Sequence, residues 1–151
     1  MKNLPHKDAL KFILAGKSMF AAINTKTGNQ FTFRVNKSKD DKFYFVSGGS
    51  DKESLSYLGT INEYGYKHGK KSNIDKSAQV NKVFEYVFNK LLSNSLPEVI
   101  ELFHYGRCGR CGRTLSVEEN IDMGIGPECI KKLNKVDKRD AIINLLLASN
   151  Y

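Results

Sequence analysis

His104, Cys108, Cys111 and Cys129 follow the pattern His-x3-Cys-x2-Cys-x17-Cys, which contains every cysteine of the chain. Two thiols three positions apart, a third further on and an imidazole just upstream are the donor types that Zn²⁺ takes in closed tetrahedral sites. A chain that uses them together must bend sharply at Cys108–Cys111 and return to that bend with Cys129. The flanking residues suit this: glycine follows both Cys108 and Cys111, so backbone amides can approach the sulfurs with no Cβ in the way. Gly126-Pro127 reads as the start of a helix, which puts Cys129 in the first turn near the positive end of the helix dipole. The pattern predicts a treble-clef-like zinc finger with Cys108, Cys111, Cys129 and His104 as ligands of a structural Zn²⁺. Glu128 and Asp122 are alternative fourth donors, whereas His6 and His68 are remote in sequence. A thioredoxin-like redox couple lacks its strand-to-helix context, and three cysteines would leave one unpaired in a disulfide framework.

The run Gly106-Arg107-Cys108-Gly109-Arg110-Cys111-Gly112-Arg113-Thr114-Leu115, with Glu118, Gly124-Ile125-Gly126-Pro127 and Cys129, resembles a small domain of phage and prophage proteins whose function is uncharacterised. Its core has the form CGRCGR…GIGPxC with a histidine just before it, and it covers about residues 104–133. Thr27 to Val35 also resembles a hairpin that precedes the domain in phage proteins. The resemblance implies a phage or prophage setting and a structural metal. It implies no reaction.

The formal net charge of +8 points to a polyanionic partner. Residues 104–151 carry eight Lys/Arg against six Asp/Glu, so most of the surplus lies in residues 1–103. Arginine usage adds to this. The chain has nineteen lysines and five arginines, and three of the five, Arg107, Arg110 and Arg113, fall inside the cysteine knuckle. Arginine clustered where lysine is the default suggests planar, multidentate hydrogen bonding to phosphate, base edges or carboxylates. These arginines could equally bond knuckle carbonyls or pair with Glu118, Glu119 and Asp122.

The rest of the chain reads as α+β, an antiparallel β-meander with covering helices, followed by the finger and a C-terminal helix. Apolar positions Ala9, Leu10, Ile13 and Leu14 predict a short amphipathic helix over 5–15 that ends at Gly16. Strands are expected over 19–24, around Phe31-Val35, over 43–46 and over 55–61, with turns at 25–29, 37–41 and Gly48-Gly49-Ser50-Asp51. The aromatic stripe reads as sheet core, with Tyr44 and Tyr57 as candidates for the solvent face. Tyr64 to Asn73 reads as a polar loop in which Tyr66, Lys67, Lys70 and Lys71 could stack on bases and neutralise phosphate. Val80, Val83, Phe84, Val87, Phe88 and Leu91 form a helical stripe, capped by Asp75 or Ser77. Ser95-Leu96-Pro97-Glu98 reads as the start of another helix, running to Phe103 and delivering His104 to the knuckle. The apolar positions of 142–147 predict a last helix with more greasy surface than one neighbour covers, so a second copy of the chain is the expected partner there, giving a homodimer. Two units follow: 1–95, the body, and 96–151, the finger with its last helix.

These features favour a non-enzymatic, zinc-stabilised phage-type protein that engages nucleic acid or a nucleic-acid-processing complex. The alternative is a phage-encoded inhibitor docking on a host defence or polymerase protein, and a zinc hydrolase comes third. A four-ligand zinc leaves no position for water. Neither a deaminase His-x-Glu…Pro-Cys-x2-Cys nor a phosphate-binding Gly-x4-Gly-Lys-Ser/Thr is present. No apolar run approaches the ~20 residues of a membrane span, and reduced thiols without a leader suggest a cytoplasm.

Overall fold

The computed structural model describes residues 1–115 and 124–133. The last helix expected around 142–147, its dimer contact, and Glu118, Glu119 and Asp122 lie outside the described residues. Within them the chain is α+β and mostly antiparallel sheet. Seven strands run in the order β1-β7-β2-β3-β4-β5-β6. They are β1 (Lys2–Asn3), β2 (Lys17–Asn24), β3 (Gln30–Lys37), β4 (Tyr44–Gly49), β5 (Ser56–Asn62), β6 (Gly65–His68) and β7 (Ile100–His104). Helices α1 (His6–Ile13) and α2 (Gln79–Leu92) lie on one face, and α3 (Pro127–Leu133) carries the last cysteine.

Alternation decides which side chains meet those helices. Phe20, Phe33, Val35, Tyr44, Val46, Leu58, Ile61 and Leu102 are fully buried. Phe84 of α2 packs on Phe33 with ring centroids 5.2 Å apart, and Phe88 stacks on Phe84. Tyr44 is therefore core and not solvent-facing; its hydroxyl donates to the Leu14 carbonyl at 2.8 Å. The exposed ring of that strand is its neighbour Phe45. The turn after β4 begins at Ser50 and not at Gly48, because Gly48 is a packing position. A Cβ there would sit 2.8 Å from both Leu58 and Phe33.

Three further expectations are corrected. The segment read as a polar loop contains strand β6, which extends the meander and turns Tyr66 inward. Tyr66 packs on Phe84 at 4.7 Å, and its hydroxyl donates to Asn81 Oδ1 at 2.6 Å. Neither Asp75 nor Ser77 caps α2. Ala78 holds that position, and Asp75 instead accepts hydrogen bonds from the Ser77 amide and hydroxyl. Finally, residues 100–104 form a strand, not a helix. The Ile100 amide bonds back to Pro97, after which Ile100, Leu102 and His104 alternate with Glu101 and Phe103. β7 is paired with β1 on one side and β2 on the other.

Burial, reinforced by Glu85 and Tyr57, raises the pKa of the Tyr66 phenol above its ordinary value of 10.0. A raised folded-state pKa means that the unfolded chain gives up this proton first. The Tyr66 contribution is therefore complete below pH 10 and declines as pH rises beyond it. Tyr66→Phe leaves the buried Asn81 acceptor unmatched and is expected to cost about 1–2 kcal/mol in urea unfolding at neutral pH, with a weaker alkaline decline than the parent.

Candidate metal centre

The register of β7 builds the site. His104 lies opposite Phe20, so the chain leaves the sheet beside the start of β2 and the end of α1. There it makes a tight hairpin. The Cys108 amide bonds to the Arg113 carbonyl at 2.8 Å, the Gly112 amide to the Cys108 carbonyl at 2.8 Å and the Leu115 amide to Gly106 at 2.9 Å. Gly106 and Gly112 take positive φ at its corners. Pro127 opens α3 as expected, and Cys129 sits in its first turn, with the Ile130 amide bonded to Gly126.

The Sγ atoms of Cys108, Cys111 and Cys129 lie within 4.8 Å of one another. A tetrahedral zinc with bonds of about 2.3 Å holds its sulfurs ~3.8 Å apart, so the cluster needs only a small contraction to accept an ion. Backbone amides already point at it. Arg110 N and Gly126 N donate to Cys108 Sγ at 3.4 and 3.3 Å, the second-shell pattern that steadies a thiolate ligand. Burial is the largest influence on Cys108 and opposes its ionisation. The hydrogen bonds from Gly126, Cys111, Arg110 and Cys129 outweigh it together and lower the thiol. Cys129 goes the other way, pushed up to about 11 by burial and by its two sulfur neighbours, against the pull of Arg110. Three thiols in one small site cannot all ionise without a cation among them. These three residues could hold a metal ion.

The close group comprises the three cysteines, and His104 stands beside the knuckle at the end of β7. It is fully buried as a strand residue, its Nδ1 accepts from the Gly106 amide at 3.0 Å, and its ring lies 5.7 Å from that of Phe12. Glu128 is exposed and faces Lys131 at 3.9 Å. His6 and His68 bond the Ile100 and Ile74 carbonyls.

Phe12 is the residue that the sequence reading missed. A Cβ on Gly109 or on Gly124 would come within 2.6 Å of its ring, so both glycines are seats for one side chain of α1. The Gly109 amide bonds to the Gly124 carbonyl at 2.8 Å, and the Gly109 carbonyl accepts from the Lys17 amide at 2.7 Å. Gly109 is thus a packing requirement of the body as well as a knuckle residue.

Residues 103–134 match a family of unknown function (DUF6011). No curated protein and no solved structure matches the chain.

The other expected binding residues divide. Arg107 Nη1 donates to the Gly112 carbonyl at 3.3 Å and remains exposed, as does Arg113. Arg110 turns inward, with Nη1 3.8 Å from Cys129 Sγ and a buried Nε that has no partner. Lys67, Lys70 and Lys71 are exposed around β6, five strands from β7 and therefore roughly 24 Å from the knuckle. Arg110 thus reaches toward the sulfurs. Arg110→Ala is expected to lower metal affinity about tenfold in competition with a chromophoric chelator, the low end of the range for second-shell groups. No described helix is long and apolar enough to cross a membrane.

Proposed function

We propose that the chain is a non-catalytic nucleic-acid-binding protein in which Zn²⁺, held by Cys108, Cys111 and Cys129 with His104 as the candidate fourth donor that closes the site, shapes a treble-clef-like finger. The observation that carries this reading is unneutralised positive charge. Among the described residues, Lys17, Arg34, Lys67, Arg107 and Arg113 have no carboxylate within ion-pair distance, whereas Lys37 and Lys131 do. Exposed, unpaired cations on a chain of net charge +8 favour a polyanion, because releasing its condensed counterions drives binding. The knuckle's likeness to phage domains supports a phage or prophage setting. The test is to load the protein with zinc, confirm the stoichiometry by native mass spectrometry, and titrate labelled DNA and RNA across salt concentrations. Log affinity is expected to fall linearly with log salt, by about 0.7–0.9 per phosphate neutralised. An absence of binding to either nucleic acid in low salt overturns the reading.

One observation favours docking on a protein instead. A concavity of about 430 Å³ lies between α2 and the sheet, walled by Phe31, Val83, Tyr86, Val87 and Val99. Protein partners captured after nuclease treatment, and lost on Tyr86→Ala, would support that second reading.

A further inference from the structure

We propose that the sheet face turned away from α1 and α2 binds single-stranded nucleic acid, laid across the strands from the knuckle towards β6. The proposal rests on the nucleic-acid reading above and adds the surface, the strandedness and the path.

Strand register assembles the surface from residues distant in sequence. Lys17 stands opposite Asn36, Asn36 opposite Phe45, Phe45 opposite Thr60 and Thr60 opposite Lys67. Directly paired residues share a face, so this row has a lysine at each end and an aromatic ring midway. A second row runs Met19, Arg34, Ser47, Tyr57. Both belong to the face opposite Phe20 and Phe33, which meet the helices. Four strand spacings of about 4.8 Å put some 19 Å between Lys17 and Lys67, room for a short run of nucleotides.

The face offers both things that a single strand needs. Phe45 is 44% exposed, and its ring is braced edge-on by Phe43 at 5.0 Å and Tyr57 at 6.4 Å, so it is presented in a fixed position. Near the knuckle a cavity of about 280 Å³ is lined by Lys17, Arg34, Asn36, Tyr105 and Arg107, with no carboxylate among its lining residues. Tyr105 is held there by a 2.8 Å hydrogen bond between its hydroxyl and that of Thr32, with Lys52 Nζ 5.8 Å from its ring centroid. Glu101 stands on the same face at the opposite end of β7, facing Ile23, and bounds the positive region. Rings set among cations bind a strand by stacking on base faces and neutralising phosphates. A duplex keeps its base faces inside the stack and offers only groove edges and phosphates, for which Phe45 has no use.

The experiment is fluorescence anisotropy with full-length, zinc-loaded protein in low salt. The probes are a 12-nucleotide single strand, as DNA and as RNA, and the duplex of the same sequence. The single strand is expected to bind at least about tenfold tighter than the duplex. Phe45→Ala, an exposed position whose folding is checked by circular dichroism, is expected to weaken it at least about fivefold. Arg34→Ala is expected to lower the salt slope by about 0.7, and Lys82→Ala on α2 to change nothing. Parental affinity retained by both Phe45→Ala and Arg34→Ala, or a preference for duplex, overturns this surface while leaving the broader nucleic-acid reading intact. No binding to any probe overturns both.

Discussion

Replacing Cys108 by serine is expected to abolish metal retention and unfold the knuckle while the sheet stays folded. Cys108 is 2% exposed and accepts two backbone amides, so its sulfur is the organising centre of the hairpin as well as one of the three that could hold an ion. In fingers of this size, metal-binding free energy is folding free energy, about 10–16 kcal/mol for zinc, and losing one of the thiolates removes a large part of it. Most of the body's core, including Phe20, Phe33, Phe84, Phe88 and Leu102, comes from β2, β3, β7 and α2 and not from the knuckle. Hydrogen exchange read by mass spectrometry checks this. Amides of 106–115 and 126–130 are expected to exchange quickly in Cys108→Ser while β2–β5 stay protected, and a chelator should give the parent the same pattern. Full protection of the knuckle in the metal-free variant would show that the fold needs no ion.

Phe12→Ala is expected to destabilise the protein by about 3–5 kcal/mol, the usual cost of deleting a buried phenyl ring. The loss should extend beyond α1, because this ring fills the space that Gly109 and Gly124 leave open. Gly109→Ala in the parent drives a methyl group into the ring and should itself be strongly destabilising. In the Phe12→Ala background the clash with the ring is gone and only the Phe12 carbonyl, 2.9 Å from the added Cβ, still crowds it, so the double variant should be more stable than the sum of the two losses by about 1 kcal/mol. Urea unfolding of the four proteins measures the coupling. Simple additivity would mean that the ring and the knuckle do not support each other.

The site was legible because its chemistry is local. Cys108, Cys111, Cys129 and the Gly126-Pro127 helix start are recognised by residue type and short spacing, and the structure brings the three thiols together. His104 was legible as a neighbour of the knuckle, but the strand that carries it and the bond from the Gly106 amide to its Nδ1 were not. The body was read well wherever periodicity was clear, as in α2 and in β2 to β5. It was misread at 96–103, where Pro97 imitates a helix start while Ile100, Leu102 and His104 alternate. Tyr66, Asn81 and Phe12 were invisible for another reason. The contacts that matter, Tyr66 to Asn81 and Phe12 to Gly109 and Gly124, span 15 residues or more, so no local pattern announces them. The row from Lys17 to Lys67 likewise exists only through strand register.

The position of β7 has a consequence for how the molecule assembles. The neighbours of this strand, β1 and β2, are made long before it, so the open edge of β2 has nothing to pair with until the chain has passed through α2 and reached residue 100. Closing so long a loop is entropically costly and slow, which places completion of the sheet late on the folding route. A chain interrupted before residue 100 would carry an unpaired strand edge along β2, an invitation to self-association. Arrival of β7 seals that edge and delivers the cysteines to Phe12 in one motion.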